Sequence, residues 1–299
     1  MTLAEDLAIY AKMISDDIEH GASHVLKIAS GSLDTALKKN SSATPMEIRG
    51  ASREYALRIM GVHRRLAPIL NFCNHLLLEI ENSKDDPEIR KKLSDFAITV
   101  SEQSSEALEK VAAHANGVIS GNHFMTHSRS STLFHFLNHI RDRDDLQVYI
   151  TQSRPGGEGR LLAGELAVAG IRTVLIEDAE VMRYLDRVSA VLVGTDAIIP
   201  GGVVNKVGTH MVSLAARELG LPIYCLTESI KIWPFDEPIL TGLSKGFPSP
   251  LGSFEFFELI PGSAFSQFIL DSGPTTFDEV VLKMESFHLA QEMQRLAGL

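Results

Sequence analysis

Apolar residues recur every three or four positions through the first third of the chain, then give way to short unbroken runs. Leu3, Leu7, Tyr10 and Ile14 mark one face of a helix predicted from Leu3 to Ile18. A second helical run, Ser23 to Lys39, is interrupted only by Gly31. Thr44-Pro45-Met46-Glu47 reads as a helix start: Thr44 caps, Pro45 suits the first helical position, and Glu47 reaches back three residues to complete a capping box. That helix carries Ile48-Arg49-Gly50-Ala51 and runs to about Met60. Glycine in its second turn costs about 1 kcal/mol against alanine and suggests close approach by another helix or a ligand. Leu66 to Ile80 is nearly all apolar on one side. Asp86-Pro87 restarts the chain into a long helix marked by Ile89, Leu93, Phe96, Val100, Leu108 and Val111. No strand signal precedes residue 117, so residues 1–115 are expected to form an all-helical domain.

Beyond that point, runs rich in Val and Ile alternate with helix-length segments. The runs are Gly117–Ile119, Leu146–Thr151, Arg172–Ile176, Ala190–Val193, Pro222–Leu226 and Phe254–Ile260. Helices are expected at Ser130–His139, Gly159–Ala169, Ala179–Leu185 and Gly208–Leu219. This alternation predicts βαβ units and a mostly parallel sheet over residues 116–299, hence an α/β chain. Ligands of such sheets sit beyond the carboxyl ends of the strands. Those ends deliver Thr126–Ser130, Ser153-Arg154-Pro155, Asp178, Asp196 and Thr227–Lys231 to one edge.

Val191 to Thr209 is the stretch with the most chemistry. A buried strand leads into Gly194-Thr195-Asp196, a flexible Pro200-Gly201-Gly202 turn, then Asn205, Lys206 and a helix opening at Gly208-Thr209. Strand, glycine-rich loop and helix N-terminus together suit a phosphate. Lys206 would add a positive charge and Asp196 an acid or base. The alternative is a tight connection whose glycines serve only the turn.

The chain has 299 residues, 44% hydrophobic and 22% charged, with a net charge of −10. The acidity argues against nucleic-acid and anionic-membrane partners. Acids in MTLAEDLAIY argue against a secretory leader, and no apolar run is long enough to span a bilayer, so a cytoplasmic protein is expected. Cys73 and Cys225 lie far apart in apolar company and read as buried free thiols.

Thr151 to Arg160 leaves a strand and enters a helix; Arg154 can grip a phosphate with its fork, and Glu158 can pair with either arginine as a structural clamp. The glycine spacing fits neither a dinucleotide fingerprint nor a Walker loop, and no cofactor is expected. Met125 to Ser131 is dense in hydroxyls that can cap the next helix or meet a ligand. His127 beside Ser128 is a poor base for it, since strand neighbours point opposite ways. His123, His127, His135 and His139 form two H-x3-H pairs, but only the last two share a helix, so no metal is expected. Arg49 and Lys231 can each be ligand cations or partners of nearby acids.

Four of these stretches, Thr126–Ser131, Thr151–Gly159, Val193–Thr209 and Thr227–Ile232, resemble in order and spacing the alpha, beta and delta regulatory subunits of translation initiation factor 2B. They also resemble its enzyme relatives, ribose-1,5-bisphosphate isomerase and methylthioribose-1-phosphate isomerase. Arg49-Gly50-Ala51 resembles the enzymes' phosphate-binding Arg-Gly-Ala. The resemblance implies an N-terminal helical domain, a C-terminal Rossmann-like domain, and homodimers or higher oligomers built through the latter. It implies that Asp196 matches the catalytic Asp, Asn205 and Lys206 the Asn-Lys pair, and Arg154 the arginine of the Ser-Arg-Pro loop. Ser128 stands where the isomerases carry a catalytic Cys, and Arg65 is the candidate for their second arginine motif.

A regulatory-subunit-like protein is therefore expected, holding a sugar phosphate or nucleotide through Arg49, Gly50, Ala51, Arg154, Asn205, Lys206 and Lys231. Asp196 would face the sugar hydroxyls, and a translation initiation factor is a further expected partner. The alternative is an aldose–ketose isomerase of a sugar 1-phosphate, with Asp196 and Ser128 as the reacting groups.

Overall fold

The computed structural model describes residues 1–16, 21–84, 86–243, 247–249 and 252–297. Its first part is helical: α1 (Leu3–Asp16), α2 (Ala22–Lys39), α3 (Pro45–Val62), α4 (Ala67–Asn82) and α5 (Ile89–Val118). The extension of the first helix to Ile18 lies outside the described residues. Leu3, Leu7 and Ile14 are buried, as the pattern requires, and Tyr10 is half-buried. At the start of α3 the Thr44 hydroxyl accepts from the Glu47 N–H at 3.3 Å, and the Glu47 carboxylate accepts from the Thr44 N–H at 2.7 Å. The Thr44 N–H and hydroxyl, both donating to the Glu47 carboxylate, hold that carboxyl below its usual range. Gly50 has no atom within 4 Å of where a Cβ would stand, so no packed helix demands a glycine there.

The chain divides into two compact units. One comprises Met1–Ser105, Phe235–Gly242 and Ser286–Leu299. In it α1 packs on α2 and α3, and α4 packs on the same two helices. Leu7, Leu26, Leu33, Tyr55 and Phe72 are wholly buried, and the Tyr55 hydroxyl donates to the Ala29 carbonyl at 2.8 Å. Asn74, buried on α4, donates to the His288 carbonyl at 2.8 Å and accepts from the Ala290 N–H at 2.9 Å.

The other unit comprises Glu106–Pro234 and Leu243–Glu285. From α5 the chain runs through β1 (His123–Thr126), α6 (Ser131–His139), β2 (Gln147–Thr151), α7 (Glu158–Val168), β3 (Arg172–Ile176), α8 (Val181–Tyr184), β4 (Ala190–Val193), β5 (Ala197–Ile199) and β6 (Gly202–Lys206). It continues through α9 (Thr209–Glu218), β7 (Ile223–Leu226), α10 (Ile239–Leu243), β8 (Phe247–Ser249), β9 (Gly252–Phe254), β10 (Phe257–Ile260), β11 (Gln267–Leu270), β12 (Gly273–Thr275), α11 (Phe277–Met284) and α12 (Gln291–Ala297), of which α12 and all of α10 but Leu243 belong to the first unit. Gly117–Ile119, expected as a strand, is instead the end of α5 and its exit. Val111, Ala112 and Ala115 keep helical spacing and are buried, which carries the helix on to Val118. The first strand, β1, follows it.

The main sheet has seven strands in the order β12-β11-β7-β4-β1-β2-β3, all parallel except the β11–β12 pair. Side chains alternate between two cores. Phe124, Val148, Ile150, Ala190 and Leu192 meet α6 and α7 through Leu133, Phe136, Leu162 and Leu166. Met125, Val191, Val193, Ile223 and Cys225 meet α9 and α11 through Val212, Ala216 and Val280. Burial on both faces explains the unbroken apolar runs. Each buried aliphatic side chain contributes roughly 1.5–3 kcal/mol. Cys225 sits in this core, where burial pushes its thiol up to about 12; it and the buried Cys73 are free thiols.

Strand order reverses between β1 and β4, and the crevice at such a reversal is where parallel sheets bind ligands. Pro200-Gly201-Gly202 is not a turn within a loop but the tip of a hairpin, β5 to β6, with β10 antiparallel on the far side of β6. Gly202 has φ +146°, and a Cβ there would lie 2.4 Å from the Ile260 carbonyl. Asn205 and Lys206 therefore stand on a strand. The run beginning at Phe254 joins this small sheet through β10 rather than the main one. Among the described residues no helix is long and apolar enough to cross a membrane.

Candidate functional site

The loops after β1, β2 and β4 are tied together by hydrogen bonds. His127 follows β1 and is buried. Its Nε2 lies 2.8 Å from the Val207 carbonyl and its Nδ1 2.7 Å from the Thr151 hydroxyl. A carbonyl only accepts, so Nε2 carries the proton and Nδ1 accepts from Thr151. Thr151 Oγ1 lies 3.0 Å from Ser153 Oγ, which accepts the Ser128 N–H at 2.7 Å. Burial lowers the His127 pKa; the Val207 carbonyl and Asp178 oppose this, and Lys206 reinforces it. The imidazole is therefore a neutral strut. Gly208, with φ +100°, is required beside it, since a Cβ would come within 2.8 Å of the ring.

Ser128 and Ser153 both hold positive φ, 68° and 63°. Ser128 is half-buried. Asp178, at the end of β3, accepts from the Ser153 N–H at 2.7 Å and the Arg154 N–H at 2.8 Å. The start of α7 presses on the end of β2: a Cβ on Gly159 would lie 1.8 Å from the Thr151 carbonyl oxygen.

Glu158 clamps neither arginine of its loop. Its Oε1 accepts from Lys206 Nζ at 2.9 Å. Lys206 also donates to the Pro155 carbonyl, and its ammonium stands 4.2 Å from the centre of the Phe256 ring. Burial lowers its pKa, opposed first by Glu158 and then by Asp178 and Asp196. Arg154 and Arg160, both exposed, place one nitrogen each at 3.2 and 3.1 Å from Gln152 Oε1. Arg129 is held in a forked pair by Glu165.

Asp196 is half-buried between β4 and β5, its N–H bonded to the Val204 carbonyl at 2.9 Å. Asn205 is buried and donates to Thr209 Oγ1 at 3.1 Å. The N-terminus of α9, expected to receive an anion, already carries one: the His210 N–H donates to Glu258 Oε1 at 2.8 Å. Lys231 is buried, paired at 2.9 Å with Glu228, which also accepts from Thr132 at 2.9 Å. Arg49, Gly50, Ala51 and Arg65 belong to the helical unit. There Arg49 donates to the carbonyls of Ser83 and Asp86 at 3.1 and 3.4 Å, closing the chain after α4. Ala51 is buried, while Gly50 is exposed and Arg65 half-buried.

Ser128, Arg154, Lys206 and Asp196 are thus gathered along one sheet edge. Glu158 and Phe256 around Lys206, and Asp178 under Arg154, come from distant parts of the chain. Periodicity and spacing carry no signal for such pairings. His123 pairs with Asp145 at 3.0 Å, and His135 lies 3.7 Å from Glu109. Among the described residues no cluster of three His, Cys, Asp or Glu is placed to hold a metal.

Residues 19–237 match the model of the Initiation factor 2 subunit family. A ribose 1,5-bisphosphate isomerase of Methanocaldococcus jannaschii is 26% identical over 228 residues, covering 75% of this chain and 72% of that one. A putative translation initiation factor eIF-2B subunit 2-like protein of Pyrococcus abyssi is 30% identical over 190 residues, 62% of this chain and 66% of that one. The crystal structure of the translation initiation factor eIF-2B of Pyrococcus horikoshii OT3 superposes with a TM-score of 0.77 at 23% identity, covering 90% and 96%.

Proposed function

The chain belongs to the initiation factor 2 subunit family, and from that premise we propose that it binds a small phosphorylated ligand, a sugar phosphate or a nucleotide, as an alpha-type regulatory subunit. The observation that carries this reading is the buried Lys206 ammonium, acted on by Glu158, Asp178 and Asp196 at the point where strand order reverses. A buried charge perturbed by burial and by specific charged partners is a candidate functional group. Asp196 faces the sugar hydroxyls, and Ser128, Arg154, Asn205 and Lys206 line the ligand's surroundings. Arg49-Gly50-Ala51 and Lys231 are carried from the resemblance as further contacts. The strand order supports a Rossmann-like description of the unit. Homo-oligomers through this unit, a cytoplasmic location and a translation-factor partner complete the proposal. Isothermal titration with ribose phosphates and purine nucleotides tests it: binding of one is expected, and silence from all would end it.

A second reading is an aldose–ketose isomerase moving hydrogen between C1 and C2 of an open-chain sugar 1-phosphate. The retained, half-buried Asp196 and the M. jannaschii relative favour it. Ser128 replaces the thiol this chemistry uses, and a hydroxyl is a far weaker acid. Incubation in heavy water with ribose 1,5-bisphosphate and methylthioribose 1-phosphate, followed by NMR, separates the readings. The binding-protein reading expects turnover at most from a Ser128→Cys variant. Turnover by the unaltered protein, lost in Asp196→Asn, would establish the isomerase.

A further inference from the structure

We propose that the phosphate group of the ligand is taken by Arg154 and Arg160 across Gln152, with Lys206 acting as a positioning residue that holds the loop. This rests on the ligand reading above and names the groups that recognise the ligand's charge.

The other cations of this unit that stand near the sheet edge are already neutralised. Arg129 is paired with Glu165, Lys206 with Glu158 and Lys231 with Glu228. Arg154 and Arg160 are exposed, and among the described residues neither forms an ion pair with a carboxylate. They converge instead on one neutral atom, Gln152 Oε1. Gln152 is buried, and its Nε2 donates to Glu177 Oε1, which fixes the amide with its oxygen toward the arginines. Glu177 is therefore engaged by the amide rather than by either guanidinium.

Two like charges drawn to a single neutral oxygen repel each other. In a chain of net charge −10 an acid could readily have stood there. An anion with several acceptor oxygens removes the repulsion, and guanidinium forks match the geometry of phosphate. Both arginines are also held at their roots. Asp178 grips the Arg154 N–H, and the contact of Gly159 with Thr151 sets the first turn of α7, where Arg160 stands. Lys206 offers less, since Glu158, the Pro155 carbonyl and the Phe256 ring surround its ammonium.

The test uses ribose 5-phosphate as probe, with titration calorimetry and ³¹P NMR on the full chain and its Arg154→Gln and Arg160→Gln variants. Both changes are at exposed side chains, and unchanged thermal melts would verify the fold. We expect each variant to bind at least tenfold more weakly. The second ionisation of the phosphate, ordinarily near about 6, should fall when it binds the unaltered protein and return toward its free value in the variants. Equal affinity and an unchanged ³¹P titration in both variants would overturn the proposal while leaving the ligand reading standing. Weaker binding with no change in the ³¹P titration would also overturn it, since that marks a structural role. If the unaltered protein binds no ribose phosphate or purine nucleotide, the ligand reading itself fails.

Discussion

Lys206 and Glu158, 48 residues apart in sequence, form an ion pair of 2.9 Å in which the lysine side chain is 3% exposed and the glutamate 27%. Neither could be left alone there, because a buried charge without its partner is far more costly than the pair is stabilising.

Removing one member should therefore cost more than removing both. Glu158→Ala is expected to lose about 3 kcal/mol of stability. The double variant with Lys206→Met should recover most of that. Urea denaturation of the two single variants and the double gives the coupling directly, and simple additivity would contradict a paired role.

His127 gives a pH dependence with a defined sign. Burial holds its pKa below the ordinary histidine value of about 6.5. Below pH 6.5 the unfolded chain binds a proton that the folded one refuses, so stability falls as pH drops, until the depressed folded value is passed. The slope from this group is at most about 1.4 kcal/mol per pH unit. A His127→Gln variant should be less stable at neutral pH yet lose less on acidification from pH 7 to 5. Parallel curves for the two proteins would show that His127 takes up its proton alike in the folded and unfolded chains, which would refute the buried neutral strut.

Two glycines should respond in opposite ways to alanine. Gly159→Ala sets a Cβ 1.8 Å from a backbone oxygen that cannot move without shifting β2, and several kcal/mol of destabilisation is expected. Gly50→Ala meets open space on a helix and should gain up to about 1 kcal/mol. Thermal melts decide both. Should Gly50→Ala be stable but weaken ligand binding, the Arg-Gly-Ala resemblance would acquire functional content.

Asp178 holds two successive N–H groups of the loop after β2. Asn in its place offers one acceptor oxygen and turns an N–H₂ toward the other donor. We expect Asp178→Asn to cost about 1–2 kcal/mol and to accelerate hydrogen exchange at Ser153 and Arg154 selectively. Exchange that rises evenly over the sheet would instead indicate global destabilisation.

Much of this was legible in the chain itself where the cause is local. The Thr44–Glu47 box, the buried face of α1, the extent of α2, and the strands β2, β3, β4 and β7 follow from capping chemistry and the apolar pattern a few residues long. The parallel sheet follows from their alternation, and with it the edge to which the loops after its strands are delivered. What the pattern hid depends on distant neighbours. β1, only four residues long, has no contrast with the helix before it. β5 and β6 looked like a loop because their pairing with β10, about fifty residues on, is what makes Gly202-Val203-Val204-Asn205-Lys206 a strand. The same distance hid the fact that Glu158 belongs to Lys206, and Glu258 to the first turn of α9.

Asn74 has a consequence for how the protein is made. Its side chain completes the helical unit only by binding the backbone at His288 and Ala290. On the ribosome, α1 to α4 emerge early, yet the segment that satisfies this buried amide is synthesised after the whole of the seven-stranded sheet. Until then the nascent chain carries a helical layer with an unmet polar group and an uncovered seam. Vectorial folding therefore cannot finish one unit before beginning the other, and a shortened product ending before residue 286 would inherit that unfinished surface permanently.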